Sequence, residues 1–171
     1  MTIGGCVAFA AMSSEDGGGG SIARVRRALA DLGATAEVRE LPDTTRTAVE
    51  AARAVGCEVE QIAKSIVFAG AESGRAYVVV ARGTDRVDEA KLAAVAGEPV
   101  RKPDAAFVRE TTGFAIGGVP PVGHGEGIRV LIDERLAAMD SVWAAAGSPF
   151  AVVLLTPAEL RASGAEVARV T

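Results

Sequence analysis

The sequence predicts a single α/β domain, in which a curved, mixed and largely antiparallel β-sheet or barrel is surrounded by helices. Segments with helical periodicity alternate with short apolar segments typical of strands, and this alternation indicates the α/β class. Two apolar segments, 65–69 and 76–81, are separated by Glu72, Ser73 and Gly74, which predicts an antiparallel hairpin. A hairpin beside strand–helix–strand connections predicts a mixed sheet.

The length and composition predict one domain with an aliphatic core. A chain of 171 residues that is 49% apolar can bury a sizeable core, and its low aromatic content leaves Ala, Val, Leu and Ile to fill it. Residues 1–20 end in a Ser, Glu, Asp and Gly-rich stretch and are expected to form a flexible tail before a domain over 21–171.

Charge and residue usage exclude several classes of function. A net charge of −4 argues against a general nucleic-acid coating protein, although a local basic face stays open. Two cysteines and one histidine are too few for a Cys/His metal cluster, so no metal site is expected. No apolar run is long enough to span a bilayer, and a reducing cytoplasm is the expected compartment.

The first third of the chain predicts a helix, a short strand and a second helix. Ile22 to Leu32 places four apolar residues on one helical face, with Ser21 as a candidate cap and Gly33 as a terminator. A strand over 36–41 follows. Thr47 and Glu50 have the spacing of a capping box, which predicts a helix through Val55.

The middle and the end of the chain repeat this alternation. A turn over 62–64 leads into the strand 65–69 of the hairpin. Asp88 and Asp104 are placed to cap helices that end at Ala96 and Glu110, with an extended segment over 100–102 between them. The remaining predicted elements are a strand at 128–132, a helix over 134–146, possibly broken, a strand at 150–155, a helix from Thr156 to Ser163 and a strand at 165–170.

The segment from Thr112 to His124 has a composition that neither a helix nor a central strand tolerates, because four glycines and two adjacent prolines interrupt apolar residues. Prolines 120 and 121 lack an N–H, which leaves the amides of Gly117, Gly118 and Val119 as donors for an oxygen of a small substrate. A surface turn between two strands explains this composition equally well.

Several charged and nucleophilic residues also have two interpretations. Lys64 precedes an apolar strand, where it either extends into solvent or points into a site. Arg24, Arg26 and Arg27 form a solvated helix surface or contact an RNA phosphate. His124 could act as a base for Cys57 or Ser65, but no motif supports such a dyad.

No cofactor is expected. Lys64-Ser65 lacks the preceding glycines of a phosphate-binding loop, and the glycines at 123, 125 and 127 lack dinucleotide-fingerprint spacing.

Two stretches together resemble the YbaK family of editing domains, which is related to the insertion domain of bacterial prolyl-tRNA synthetase. They are Ile62-Ala-Lys-Ser-Ile-Val-Phe68 and Thr112-Gly-Phe-Ala-Ile-Gly-Gly-Val-Pro-Pro-Val-Gly123, with further similarity in Thr47-Ala-Val-Glu-Ala-Ala52 and Leu154-Leu-Thr-Pro-Ala-Glu-Leu160. The family's Gly-x-x-x-Pro loop falls on Gly117 to Pro121, and its central lysine on Lys64.

The resemblance implies a YbaK-like α/β fold and a free-standing deacylase that removes a wrong amino acid from the acceptor end of tRNA, with an aminoacyl-tRNA synthetase as a possible partner. Lys64, Gly117 and Gly118 are the expected catalytic residues. The ribose hydroxyl of the tRNA end would help to orient the water. The expected substrate-binding residues are Thr47, Phe114, Ile116, Val119, Pro121 and His124.

Two other functions fit the same residues. One is a non-catalytic module that binds an aminoacyl-tRNA end or a synthetase partner. The other is a hydrolase of another small ester that uses His124.

Overall fold

The computed structural model describes residues 19–171, so most of the predicted tail, residues 1–18, lies outside the described residues. Six α-helices are present in this range: α1 (Gly19–Asp31), α2 (Ala48–Val55), α3 (Glu89–Ala96), α4 (Ala105–Thr112), α5 (Glu134–Ala137) and α6 (Pro157–Ala162). A short 3-10 helix, Val59–Gln61, follows α2. The eight strands are β1 (Val38–Glu40), β2 (Ile62–Gly70), β3 (Ala76–Arg82), β4 (Val100–Arg101), β5 (Ile128–Asp133), β6 (Val142–Ala145), β7 (Ala151–Leu155) and β8 (Glu166–Ala168).

All eight strands belong to one mixed sheet, which confirms the predicted fold class. The strand order is β1-β7-β6-β2-β3-β5-β8, and β4 pairs with β2 beside this path. Four pairings are antiparallel, including the predicted hairpin of β2 and β3, and three are parallel. The parallel pairs follow from the helical connections between their strands.

Strand β2 organises the sheet, because it has three strand neighbours for its two edges. Strand β3 pairs with it from Ala63 to Ala69 on one edge. The other edge is divided: β6 pairs at Ile62 and Ala63, and β4 pairs at Ala69 and Gly70. Residues 64–68 therefore have no strand partner on this edge among the described residues.

The alternation of side chains along β2 and β3 builds a core on each face of the sheet. The larger cluster includes Val67, Val78 and Val80 with residues of α1, α4 and the segment after α4. The smaller cluster packs Phe68, Tyr77 and Val79 against Leu92 of α3. Tyr77 to Val80 are all buried, so this apolar run is covered on both faces of the sheet.

The local signals for helix ends are confirmed. Thr47 and Thr156 form capping boxes with Glu50 and Glu159, and Asp88 and Asp104 accept hydrogen bonds from first-turn amides of α3 and α4. Left-handed glycines follow α2, α3 and α4. These ends are encoded within a few residues, so they do not depend on distant packing.

Two boundary predictions were wrong. Helix α1 begins at Gly19, so Ser21 lies inside the helix and is not its cap. Strand β2 begins at Ile62, so Lys64 lies within the strand rather than in a turn before it. Both elements extend because they have tertiary partners: Gly147 packs against Ser21, and β6 pairs with Ile62.

The predicted helix over 134–146 was also wrong in its second half. Helix α5 ends at Ala137, and Val142 to Ala145 form β6. The alanines of the predicted 134–146 helix favour a helix locally, but β6 lies between β2 and β7 and hydrogen-bonds to both. Pairing on both edges outweighs the local preference.

Between residues 19 and 171, no helix has the length and apolar character needed to cross a membrane.

Asp133 should contribute strongly to stability, because its carboxylate is fully buried and accepts four hydrogen bonds. Oδ1 accepts from the amide of Arg135, and Oδ2 accepts from the amides of Val170 and Thr171 and from the Thr171 hydroxyl. Asp133→Ala would leave these donors unpaired, and we expect it to lower the free energy of unfolding by about 3 kcal/mol. Urea denaturation measures this loss, with the exposed Asp140→Ala as the control; equal effects of the two changes would contradict the assignment.

Candidate functional site

The segment between α4 and β5, residues 113–127, is called the glycine-proline loop below. Gly117 has a φ of 89°, in the left-handed region that favours glycine, and the next amide, that of Gly118, donates to the carbonyl of Ala115 at 2.9 Å. The prediction that Gly118 offers a free amide is therefore wrong for this conformation. Within the described residues, the amides of Gly117 and Val119 make no such bond, so these two are the available donors.

Gly118 instead allows close packing of the loop, because it has no side chain. A Cβ at this position would lie 2.9 Å from Cα and 3.0 Å from N of Ser148, in the turn between β6 and β7. Gly147 in that turn approaches α1 equally closely, because a Cβ on it would lie 2.6 Å from the carbonyl oxygen of Ser21. Close backbone contacts thus join three segments: the glycine-proline loop, the 146–150 turn and the start of α1.

A cavity of about 220 Å³ lies beside the loop. Ser65 to Val67 of β2 form one part of its lining, and Lys102, Pro103 and Val108 form another. Three loop residues complete the wall: Ile116, Gly117 and Val119. Ile116 is 62% exposed, so it stands at the mouth of this cavity.

A second cavity, of about 70 Å³, contains Lys64. Thr47 at the start of α2 and Ala63 of β2 also line it. The Lys64 Nζ donates to the carbonyl of Gly83 at 3.4 Å. Burial lowers the pKa of Lys64, because the charged ammonium loses water; Asp85 partly opposes this shift and Arg86 adds to it.

The two cavities are neighbours along the open edge of β2, because Ala63 and Lys64 line one while Ser65 to Val67 line the other. Successive strand residues point to opposite faces of the sheet, so Lys64 and Ser65 flank this edge. Five of the predicted site residues thus fall in one adjoining pair of cavities. They are Thr47, Lys64, Ile116, Gly117 and Val119.

The electrostatic character of this pair differs from that of the rest of the surface. Arg46 and Lys64 line the smaller cavity and Lys102 lines the larger, and no Asp or Glu among the described residues lines either. Each of three other cavities is lined by at least one glutamate. Sequence reasoning missed Arg46 and Lys102, although two of only three lysines in the chain lie here.

Pro121 and His124, predicted to bind substrate, lie elsewhere. They line a separate cavity of about 540 Å³ together with Arg75 and Arg129. The Nε2 of His124 is 2.7 Å from the carbonyl oxygen of Pro120; since a carbonyl only accepts, this nitrogen carries the proton. His124 thus stabilises the loop through a hydrogen bond within it.

The environment of His124 does not favour a role as a base. Burial is the main cause that lowers the pKa of His124, which makes its ring a weaker base than a free histidine. Ser65 lines a different cavity, and the thiol of Cys57 donates to the carbonyl of Glu58. The structure therefore does not bring His124 together with either predicted nucleophile.

Phe114, the remaining predicted substrate contact, is part of the core. It is 1% exposed, its ring meets that of His124 edge to face at 6.0 Å, and the guanidinium carbon of Arg24 lies 4.1 Å above its centroid. A cation over an aromatic face is a favourable contact. Arg24 thus has a structural contact that neither sequence interpretation of the α1 arginines anticipated.

Among residues 19–171 there is no group of three or more His, Cys, Asp and Glu side chains placed to hold a metal ion.

Residues 42–162 match the family model described as an aminoacyl-tRNA editing domain. The chain is 34% identical over 124 residues to protein YwhH of Bacillus subtilis (strain 168), covering 72% of this chain and 78% of YwhH. It is 35% identical over 99 residues to a proline–tRNA ligase of Stenotrophomonas maltophilia (strain K279a), but this match spans 56% of the chain and only 18% of the ligase.

Among solved structures, one described as a candidate trans-editing enzyme for prolyl-tRNA synthetase is 47% identical. Its TM-score is 0.81, and the match covers 94% of this chain and 99% of the other.

The close packing at Gly118 yields a test of the loop's architecture. We expect Gly118→Ala to lower the free energy of unfolding by about 1 to 3 kcal/mol, because the added methyl group must displace the Ser148 backbone. Gly125→Ala is the matched control, since a Cβ there meets nothing within 4 Å. Chemical denaturation compares the free energies of unfolding of the two variants. Equal values would show that the Ser148 backbone moves aside without loss of stability.

Proposed function

The chain belongs to the aminoacyl-tRNA editing domain family, and we propose that it hydrolyses the ester bond of wrongly charged aminoacyl-tRNA. The observation that carries this proposal is the pair of adjoining cavities at the open edge of β2. They combine three cations, two backbone amides without an acceptor and an apolar wall, with no carboxylate in their described lining. A nucleic-acid end that carries an amino-acid ester needs these three features together.

The cations suit the phosphate and ribose of the tRNA end. Arg46 can contact a phosphate through two N–H groups at once, and Lys64, which is less exposed, lines the same cavity. This local charge resolves the conflict between an acidic protein and an anionic substrate, because only the acceptor end has to bind here. The ester would then lie where the two cavities meet.

The amides of Gly117 and Val119 supply the electrostatic part of the reaction. Water attacks the ester carbonyl carbon, and negative charge develops on the carbonyl oxygen, where these amides donate. One such donor is worth about 3 to 4 kcal/mol in the transition state. The C–O bond to the ribose then breaks, and the ribose oxygen leaves with a proton from the attacking water.

An activated ester does not require a strong protein base. The neighbouring ribose hydroxyl can orient the water and relay its proton, which is consistent with the engagement of His124 by the Pro120 carbonyl. The apolar wall of Ile116, Val119 and Val108 would receive the amino-acid side chain and exclude larger ones.

Two relatives support a link to proline charging. The matched ligase carries a similar segment within a much longer chain, and the solved relative is described as a candidate trans-editing enzyme for the same synthetase. We therefore propose that the tRNA is one mischarged by prolyl-tRNA synthetase, which makes that synthetase the expected partner.

A deacylation panel tests the reaction itself. Purified protein incubated with tRNA charged with Ala, Ser, Thr, Cys or Pro should release at least one of these amino acids faster than buffer does. Survival of every ester at high protein concentration would refute the enzyme and support a module that binds the charged end without hydrolysis.

Lys64 should be required for turnover. We expect Lys64→Met to reduce kcat about 100-fold, because the ester loses a donor that fixes it against the amides. Lys91→Met is the control, since it removes a lysine of α3 outside both cavities. Single-turnover deacylation measures the difference, and a variant with full activity would remove Lys64 from the site.

The pH dependence of the catalysed rate distinguishes a cationic Lys64 from a neutral Lys64 that acts as a base. A cationic Lys64 predicts that the catalysed rate, corrected for spontaneous hydrolysis, falls as pH rises through its pKa, which burial places below that of a free lysine. Lys64→Arg should move this decline to higher pH. A rate that instead rises over this range would indicate that neutral Lys64 acts as a base.

A further inference from the structure

Arg24 of α1 holds both ends of the catalytic part of the glycine-proline loop. One terminal nitrogen of its guanidinium donates to the carbonyl of Thr112 at 2.6 Å and to that of Gly123 at 3.2 Å. These carbonyls lie at the last residue of α4 and just before His124, eleven positions apart. A single cationic group therefore closes the segment that contains Gly117 and Val119.

The guanidinium of Arg24, an exposed residue, also contacts the start of the loop. Its central carbon lies 4.1 Å from the ring centroid of Phe114, the second residue of the loop. Gly113, with a φ of 77°, passes so close that an added Cβ would overlap the guanidinium. Arg24 is thus matched to the loop by charge, shape and stacking together, which Lys cannot reproduce.

A second set of contacts transmits this anchoring to the middle of the loop. Phe114 meets the ring of His124, and His124 donates to the carbonyl of Pro120. Pro120 directly follows Val119, one of the two proposed amide donors. Displacement of Phe114 or Gly123 would therefore change the position of the donors relative to β2.

We propose that Arg24 is a positioning residue that sets the catalytic geometry of the glycine-proline loop from outside the site. This inference rests on the proposed function for its kinetic consequence, but its structural consequence is independent of that function. Arg24 lines neither of the two adjoining cavities, so it acts through the loop and not on the substrate.

The alternative is that Arg24 contacts an RNA phosphate, as its place on an arginine-rich helix would suggest. A phosphate contact would weaken binding in a salt-dependent manner, and lysine would largely replace it. A positioning role instead affects turnover, because a small displacement of the donors costs transition-state stabilisation while binding elsewhere persists.

The experiment compares Arg24→Ala, Arg24→Lys and Arg27→Ala with the unmodified protein. Arg27 is the matched control, because it lies on the same helix, is exposed and makes no side-chain hydrogen bond among the described residues. Amide hydrogen exchange of the loop, read at Gly118 without RNA, measures the anchoring. Deacylation of the tRNA ester that the unmodified protein clears fastest then gives kcat and KM.

We expect Gly118 exchange about tenfold faster in both Arg24 variants, and unchanged exchange in Arg27→Ala, because only the former lose the bonds to Thr112 and Gly123. We also expect kcat to fall about tenfold or more in both Arg24 variants, with KM within about twofold.

Unchanged exchange in the Arg24 variants would overturn the proposal, and so would a raised KM that lysine restores. If the unmodified protein clears no ester, the proposed function fails while the exchange measurement still decides whether Arg24 anchors the loop.

Discussion

The sheet depends on the way β2 distributes its backbone hydrogen bonds. A strand has two edges, and buried backbone donors and acceptors need partners. Strand β3 takes one edge, whereas β6 and β4 take only the ends of the other. The stretch between them, residues 64–68, contributes to the lining of both cavities, with Lys64 at the smaller one and Ser65 to Val67 at the larger one. The candidate site thus lies at a gap in the sheet, with the smaller cavity on the α2 side of that gap and the larger one beside the glycine-proline loop.

The glycine-proline loop obtains a defined shape from contacts that its composition alone does not supply. Pro120 and Pro121 remove donors, and Gly117 allows the left-handed turn. Within this turn the amide of Gly118 donates to the carbonyl of Ala115. The 146–150 turn packs closely against the α-carbon of Gly118. Arg24 and His124, which line neither of the adjoining cavities, then hold the loop by hydrogen bonds to its backbone carbonyls and to that of Thr112. Rigidity of this kind suits donors that must be in place before charge develops.

The distribution of charge is compatible with the anionic substrate that we propose for this acidic chain. Most cations of the chain are arginines, and several described ones are neutralised, such as Arg26 by Glu40, Arg82 by Asp85 and Arg129 by Glu166. Lys64, by contrast, makes no ion pair among the described residues and lines the smaller cavity, whereas Lys102 at the larger cavity lies 4.0 Å from the Glu89 carboxylate. Local potential, more than net charge, governs the recognition of one end of a nucleic acid.

The sequence by itself determined the α/β class, the β2–β3 hairpin, the capped starts of four helices and the pairing of Lys64 with the glycine-proline loop as the segments that mark the family. These features are encoded by residues within a few positions of one another, or by motifs that need no knowledge of packing. Only the tertiary structure decided that residues 142–145 form a strand, that Lys64 lies inside β2, and that Phe114 and His124 support the loop instead of lining the candidate site. It also decided that the amide of Gly118 is already bonded. Each of these outcomes depends on a partner distant in sequence, because lateral strand pairing and the choice between competing hydrogen-bond acceptors are settled only when the chain is folded.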